Sequence, residues 1–279
     1  MYETGVMTAD ERAQAADWAA REGWNPGAQD MACFQVVDPD GFWAGRRDGR
    51  MQAAISVVNY DARFAFLGFY IVRPEARGQG LGYQLWQAAL AHAGDRVVGL
   101  DGVVDQQDNY RTSGFDLAFR NIRFGGARPE IALPGGVELQ PVTAPDAALQ
   151  AMDARVFPAV RTAFWQAWLS APGHRAMRAV QDGRMVGFAT RRPCRDGYKI
   201  GPLVARDVQV AQALLAGLLT DLPAGTPVFW DVPEPNAAAV GLARDLGLTP
   251  VFETARMYRG PAPLLDLDVL YGVTSFELG

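Results

Sequence analysis

The sequence predicts a mixed α/β fold (an α+β arrangement on a mixed sheet) built from two copies of one domain-sized unit, on three observations. Helical and strand-like periods alternate along the chain. Three landmarks recur in the same order at a nearly constant offset. A stretch rich in glycine and proline, 125–136, falls between the copies. The landmarks are Asp48-Gly49-Arg50-Met51 against Asp182-Gly183-Arg184-Met185, Val98-Gly99-Leu100-Asp101 against Val228-Phe229-Trp230-Asp231, and Gly114-Phe115 against Gly247-Leu248, at offsets of 134, 130 and 133 residues. Solenoid repeats run ~20–50 residues, so each copy is a folding unit of its own. The expected organisation is a first unit over 1–127, a linker over 128–136 and a second unit over 137–279.

The first unit reads as follows. Thr8 and Glu11 have capping-box spacing and open a helix from about Ala9 to Arg21. Residues 30–38 and 51–59 read as strands around Asp48-Gly49, a dipeptide suited to a tight hairpin turn. Phe64–Val72 is an apolar run of strand length, Gly82–Ala93 a helix, and Arg96–Val104 the next strand.

Composition narrows the function. Of 279 residues, 49% are hydrophobic and 20% charged, ordinary for a packed globular chain. A net charge of −5 argues against a nucleic-acid partner, which selects a basic footprint, and does not favour an anionic membrane. Two cysteines, Cys33 and Cys194, and two histidines, His92 and His174, provide no zinc-ligand spacing, so no metal is expected. The thiols fit a reducing compartment. No basic leader opens the chain and no apolar run approaches the ~20 residues of a spanning helix. A cytoplasmic monomer or homodimer is expected.

The chemistry concentrates in Ile71–Gly82, read Ile-Val-Arg-Pro-Glu-Ala-Arg-Gly-Gln-Gly-Leu-Gly. Gly78, Gly80 and Gly82 lie between an apolar strand and a helix, where backbone N–H groups can approach a phosphate closely and the helix N-terminus adds its dipole. Arg77 brings a cation to the rim. A Walker loop needs Gly-Lys-Ser/Thr, which is absent. A dinucleotide turn should follow its strand directly, whereas Arg73–Arg77 intervenes.

Val72-x-Pro74-x-x-Arg77-Gly78-x-Gly80-x-Gly82 resembles motif A of the GNAT superfamily of N-acetyltransferases, and Tyr110-Arg-Thr-Ser-Gly114-Phe115 resembles the end of its motif B. The whole chain is similar to tandem-GNAT proteins of the YitH-like group, through Glu22-Gly-Trp-Asn-Pro-Gly27 and the ending Phe276-Glu-Leu-Gly279. The resemblance implies acetyl-CoA (coenzyme A) as co-substrate, lying between strands 64–72 and 96–104. It implies cofactor contacts at Tyr70, Ile71, Val72, Arg77, Gly78, Gln79, Gly80, Leu81, Gly82, Asn109 and Tyr110. Direct attack by the primary amine of a small molecule follows, with N–H groups near Ile71 and Val72 polarising the thioester carbonyl. Tyr110 then protonates the leaving thiolate. Many family members carry a carboxylate base on the strand matching 64–72; here that strand has no acid. Asp101 is the first alternative, with Asp105, Tyr60, Asp61 or a water chain also open. Asp101 has a counterpart in Asp231, which points equally to a shared structural role.

In the second unit the span matching the loop, 201–212, has no glycine beyond Gly201, and Asp207 would repel a phosphate. The expectation is a degenerate unit that does not bind coenzyme A in the usual way and completes the substrate pocket or supports the first. The aromatic stretches around Trp18, Glu22, Trp24 and Asn25, and around Phe157, Arg161, Phe164, Trp165 and Trp168, either face a cleft between units or pack on their own sheets. Competing functions are transfer of another acyl group, a protein-lysine acceptor, and a non-catalytic CoA sensor or scaffold.

Overall fold

The computed structural model describes residues 1–279. The first half runs β1 (Tyr2–Val6), α1 (Ala9–Arg21), α2 (Asp30–Gln35), β2 (Phe42–Arg47), β3 (Arg50–Asn59), β4 (Phe64–Val72), α3 (Leu81–Ala93), β5 (Val97–Val103), α4 (Gln107–Thr112) and β6 (Phe115–Ala127). The second runs β7 (Glu138–Pro141), α5 (Ala147–Val156), α6 (Thr162–Ser170), β8 (Arg175–Gln181), β9 (Arg184–Pro193), β10 (Tyr198–Ala205), α7 (Val208–Leu219), β11 (Pro227–Pro233), α8 (Ala237–Asp245), β12 (Thr249–Arg259) and β13 (Leu270–Gly272).

Local signals act where the sequence places them. The Thr8 hydroxyl accepts from the Glu11 N–H while the Glu11 carboxylate accepts from the Thr8 N–H, closing the capping box of α1. Asp48 and Gly49 both take positive φ, as do Asp182 and Gly183, which gives the tight turn whose twist matches the flanking strands. One expected strand is corrected: residues 30–38 hold α2, and the hairpin partner of β3 is β2. The Asp30 carboxylate fixes that helical start by accepting from Gly27 N–H at 3.0 Å and from Arg192 Nε at 2.9 Å.

All thirteen strands belong to one mixed sheet, ordered β1-β2-β3-β4-β5-β12-β6-β11-β10-β9-β8-β7, with β13 alongside β10. The order shows an exchange. The last long strand of the second half, β12, lies between β5 and β6, and β6 of the first half lies between β12 and β11. Two cross-strand ion pairs clip the exchange at equivalent places: Asp101 of β5 faces Arg256 of β12, and Asp231 of β11 faces Arg123 of β6.

Packing follows the same pseudo-symmetry. α3 buries Leu85, Trp86, Ala89 and Leu90 against β3–β5 together with Ala255 and Met257 of β12. α7 buries Val210, Leu214 and Leu218 against β9–β11. A third cluster joins the halves, setting Trp18 and Phe34 with Phe157, Phe164, Trp165 and Trp168 and with Phe276 and Leu278 of the C-terminal tail. No helix is long and apolar enough to cross a membrane.

Candidate acyl-transfer site

The two halves have the same strand splay, treated differently. β4 pairs with β5 only from Phe64 to Leu67, and the strands then part. Between the pairs Ser56–Gly68 and Ala54–Ile71, two β4 residues, Phe69 and Tyr70, face one residue of β3. Phe69 takes φ +49° in this bulge, which bends β4 away and re-aims its outer end. In the second half β10 pairs with β11 over Tyr198–Ile200 before parting. There the opening is filled by the chain itself. β13 pairs with Leu203 and Val204 of β10, Ala205 N–H donates to Val269 O, and Val273 N–H donates to Asp231 O of β11.

The glycine loop enters α3 beside the first splay. Gly78 and Gly80 adopt φ +71° and +74°, so both positions need a residue without a side-chain penalty in the left-handed region. The first main-chain hydrogen bond into α3 comes from Gln84 N–H, to Gly80 O, which leaves the N–H groups from Gly78 to Tyr83 free of main-chain partners. Donors of this kind at a helix N-terminus are what an anion can accept from. Gly82 has a different reason: a Cβ there would meet Tyr70 Oη and Val72 Cγ2 at 2.6 Å, so glycine lets α3 lie against β4. Arg77 braces the loop, donating to Val72 O at 2.9 Å and pairing with Glu22 at 3.0 Å. Gln79 spans from Glu75 O to the Arg47 guanidinium.

Beside α3 a groove is lined by Tyr83, Trp86, Asn109 and Tyr110, and a cleft lies at the splay. Tyr70 and Tyr110 line both. Asn109 donates to Gln106 Oε1. Tyr110 stacks on Trp86 at 5.8 Å between centroids, and burial pushes its hydroxyl up to about 12. It therefore holds its proton throughout the working range of an enzyme.

Asp101 reaches the cleft wall, but Oδ1 accepts from Asn121 Nδ2 (2.8 Å) and Arg256 Nε (2.9 Å) and Oδ2 from the Arg256 guanidinium (2.6 Å). Burial pushes its carboxyl upward and Arg256 pulls it back. The net effect leaves the carboxyl above the usual carboxylate range, with both of its oxygens engaged by the Arg256 fork and Asn121. Asp105, Tyr60 and Asp61 do not line the cleft; Tyr60 donates instead to Leu278 O at 2.7 Å, and Asp61 caps the turn into β4 by accepting from Arg63 and Phe64 N–H. Of the two aromatic stretches only Trp24 lines the cleft; Phe164, Trp165 and Trp168 are fully buried between the halves. Asp153 explains the last stretch, taking a fork from Arg161 and the Trp165 indole N–H.

Sequence reasoning did not find the far wall, made by Phe252 and Thr254 of β12 and by Phe276 and Glu277 of the tail. One signal for the exchange was in the chain. Arg123 and Arg256 stand 133 residues apart, in step with Asp101 and Asp231.

Comparison with known proteins agrees with this architecture. The acetyltransferase (GNAT) family matches residues 9–115 and the acetyltransferase (GNAT) domain matches residues 149–272. The chain is 32% identical over 264 residues to a holothin acyltransferase of Pseudoalteromonas sp. (strain SANK 73390), covering 94% of this chain and 90% of that relative. A putative acetyltransferase from Pyrococcus horikoshii superposes with a TM-score of 0.83 at 20% identity, covering all of this chain and 96% of the other. A tandem GNAT protein from the clavulanic acid biosynthesis pathway superposes with a TM-score of 0.67 at 19% identity, covering 94% of this chain and the whole of the other. The chain belongs to the GNAT acetyltransferase family, as a tandem of two such domains and within a family that takes acyl-CoA as co-substrate.

Proposed function

We propose that the protein transfers an acetyl group from acetyl-CoA to a primary amine of a small molecule, at one site in the half spanning 1–127. The observation that carries this reading is the run of six unpartnered N–H groups at Gly78–Tyr83, beside a groove lined by Tyr83, Tyr70 and Tyr110, the last two of which also line the cleft. The diphosphate lies on the cradle, the pantetheine arm follows the open edge of β4, and the thioester reaches the cleft. The relative named holothin acyltransferase, which by its name acts on holothin rather than on a protein, supports this choice of acceptor.

The amine attacks the thioester carbonyl directly, and backbone N–H groups around Ile71 and Val72 stabilise the developing oxyanion. Tyr110 gives its proton to the departing thiolate; a hydroxyl held near 12 is a weak acid but remains fully protonated, so it is always ready to donate. Asp101 positions β12, and with it Thr254, through Arg256. The second half carries no second acyl-CoA site because its own residues 269–273 occupy the matching splay.

Thiol release from acetyl-CoA with an amine panel tests this. Tyr110→Phe should lower kcat by about 10²-fold or more with acetyl-CoA affinity unchanged. An unchanged kcat removes Tyr110 from the mechanism.

A further inference from the structure

The cleft is walled on its far side by the second half, which brings a carboxylate residue to it while β4 carries none. Only two carboxylate residues line the cleft, Asp101 and Glu277. Asp101 has both oxygens taken up by the Arg256 fork and Asn121. Glu277 is bound more loosely. Its Oε2 accepts from Ser275 Oγ at 2.7 Å, while Oε1 meets Lys199 Nζ at 3.4 Å and the Arg123 guanidinium at 3.9 Å. Lone pairs therefore remain for a proton.

The tail that carries Glu277 is fixed. Glu277 N–H donates to Ser275 Oγ at 3.0 Å, the Tyr60 hydroxyl holds Leu278 O, and the Glu277 carbonyl packs directly on Gly68 of β4. That contact sets residue 277 against the strand on which the thioester would lie. Arg123, Lys199 and Asp231, on β6, β10 and β11, are the charged groups around the carboxylate, and the four together are neutral. Beside them Thr254, 2% exposed, lines the same cleft, and its hydroxyl has no protein partner.

We propose that Glu277 is the proton acceptor for the attacking amine, so that the acceptor half of the active site is supplied by the C-terminal tail; this rests on the acyl-transfer reading above. The amine nitrogen forms a bond to the thioester carbonyl carbon and gives one proton to the Glu277 carboxylate. The C–S bond breaks as the carbonyl re-forms, and the thiolate takes the Tyr110 hydroxyl proton. The proton on Glu277 returns through solvent to the Tyr110 phenolate, leaving an amide and a free thiol with both side chains restored.

The test uses the full chain, acetyl-CoA, and 2-phenylethylamine and 4-methoxyaniline as probe amines, with thiol release as readout. Glu277→Gln should lower kcat about 10²-fold with acetyl-CoA affinity by calorimetry unchanged, and Glu277→Asp should restore part of kcat. If the single variant unfolds because Lys199 is left uncompensated, the double variant Glu277→Gln with Lys199→Met removes both charges and must show the same loss. Wild-type kcat in either variant overturns the assignment. A wild-type chain that binds acetyl-CoA but turns over neither amine refutes the acyl-transfer reading, and the role of Glu277 falls with it.

Discussion

Gly68 lies on β4 where the C-terminal tail crosses the strand. A Cβ at this position would sit 1.6 Å from the Glu277 carbonyl oxygen, 2.6 Å from its carbon and 3.3 Å from its Cα. All three atoms are backbone, so no rotamer change relieves the collision. Gly68 is not among the residues with positive φ, and Gly68→Ala therefore carries no penalty of its own in the backbone. The cost is steric. Ordinary contact spacing requires the tail to retreat by roughly 2 Å. Overpacking of this kind costs about 1–3 kcal/mol, and retreat also loosens the Tyr60–Leu278 hydrogen bond, worth about 1 kcal/mol. The melting temperature should fall by about 3–7 °C for a chain of this size. Acyl transfer should fall with it, because Glu277 moves with the tail, while the loop at 78–83 still binds acetyl-CoA. Thermal unfolding followed by circular dichroism, together with thiol-release kinetics, reads both effects. A variant with wild-type melting temperature and wild-type kcat would refute the docking of the tail on β4.

Other consequences follow from the exchanged strands and the buried charges. Arg123→Met leaves Asp231 buried without its fork, and chemical denaturation should show a loss of about 3–5 kcal/mol, whereas replacing an exposed arginine such as Arg111 should change stability by less than about 1 kcal/mol. Burial, with Arg192 nearby, lowers the His174 imidazole to about 4, so the folded state resists protonation that the unfolded chain accepts near 6.5. Its stabilisation is complete above pH 6.5 and is lost as pH falls toward 4, up to about 3 kcal/mol. Denaturant titrations across that range should show a shallower decline for His174→Phe than for the wild type.

What could be read from the sequence was what short spacing determines. Thr8 and Glu11 are three residues apart, each Asp-Gly turn needs only its own two φ angles, and the glycine loop is defined by one strand end and one helix start. Residues 30–38 misled because a short apolar stretch fits a strand or a helix turn equally well, and the choice was made by Arg192, 162 residues distant from Asp30. The strand exchange was hidden for a related reason. β6 and β12 are copies of one element, and either could complete either half; long-range pairing chose between them. The repeated Asp101 and Asp231 were visible, yet their meaning needed Arg256 and Arg123 from the other half. Glu277 reads in the sequence only as part of the ending Phe276–Gly279, because its place beside Gly68 bridges more than two hundred residues.

The central claim is one acyl-CoA site per chain, in the first half, with the matching opening of the second half filled by residues 269–273. Calorimetric titration of the full chain with acetyl-CoA measures it directly. One site per chain is expected, lost in Gly80→Glu, which puts a negative side chain into open space at the cradle and strains a backbone held at φ +74°. Two equivalent sites per chain, or one site that survives Gly80→Glu, would contradict it.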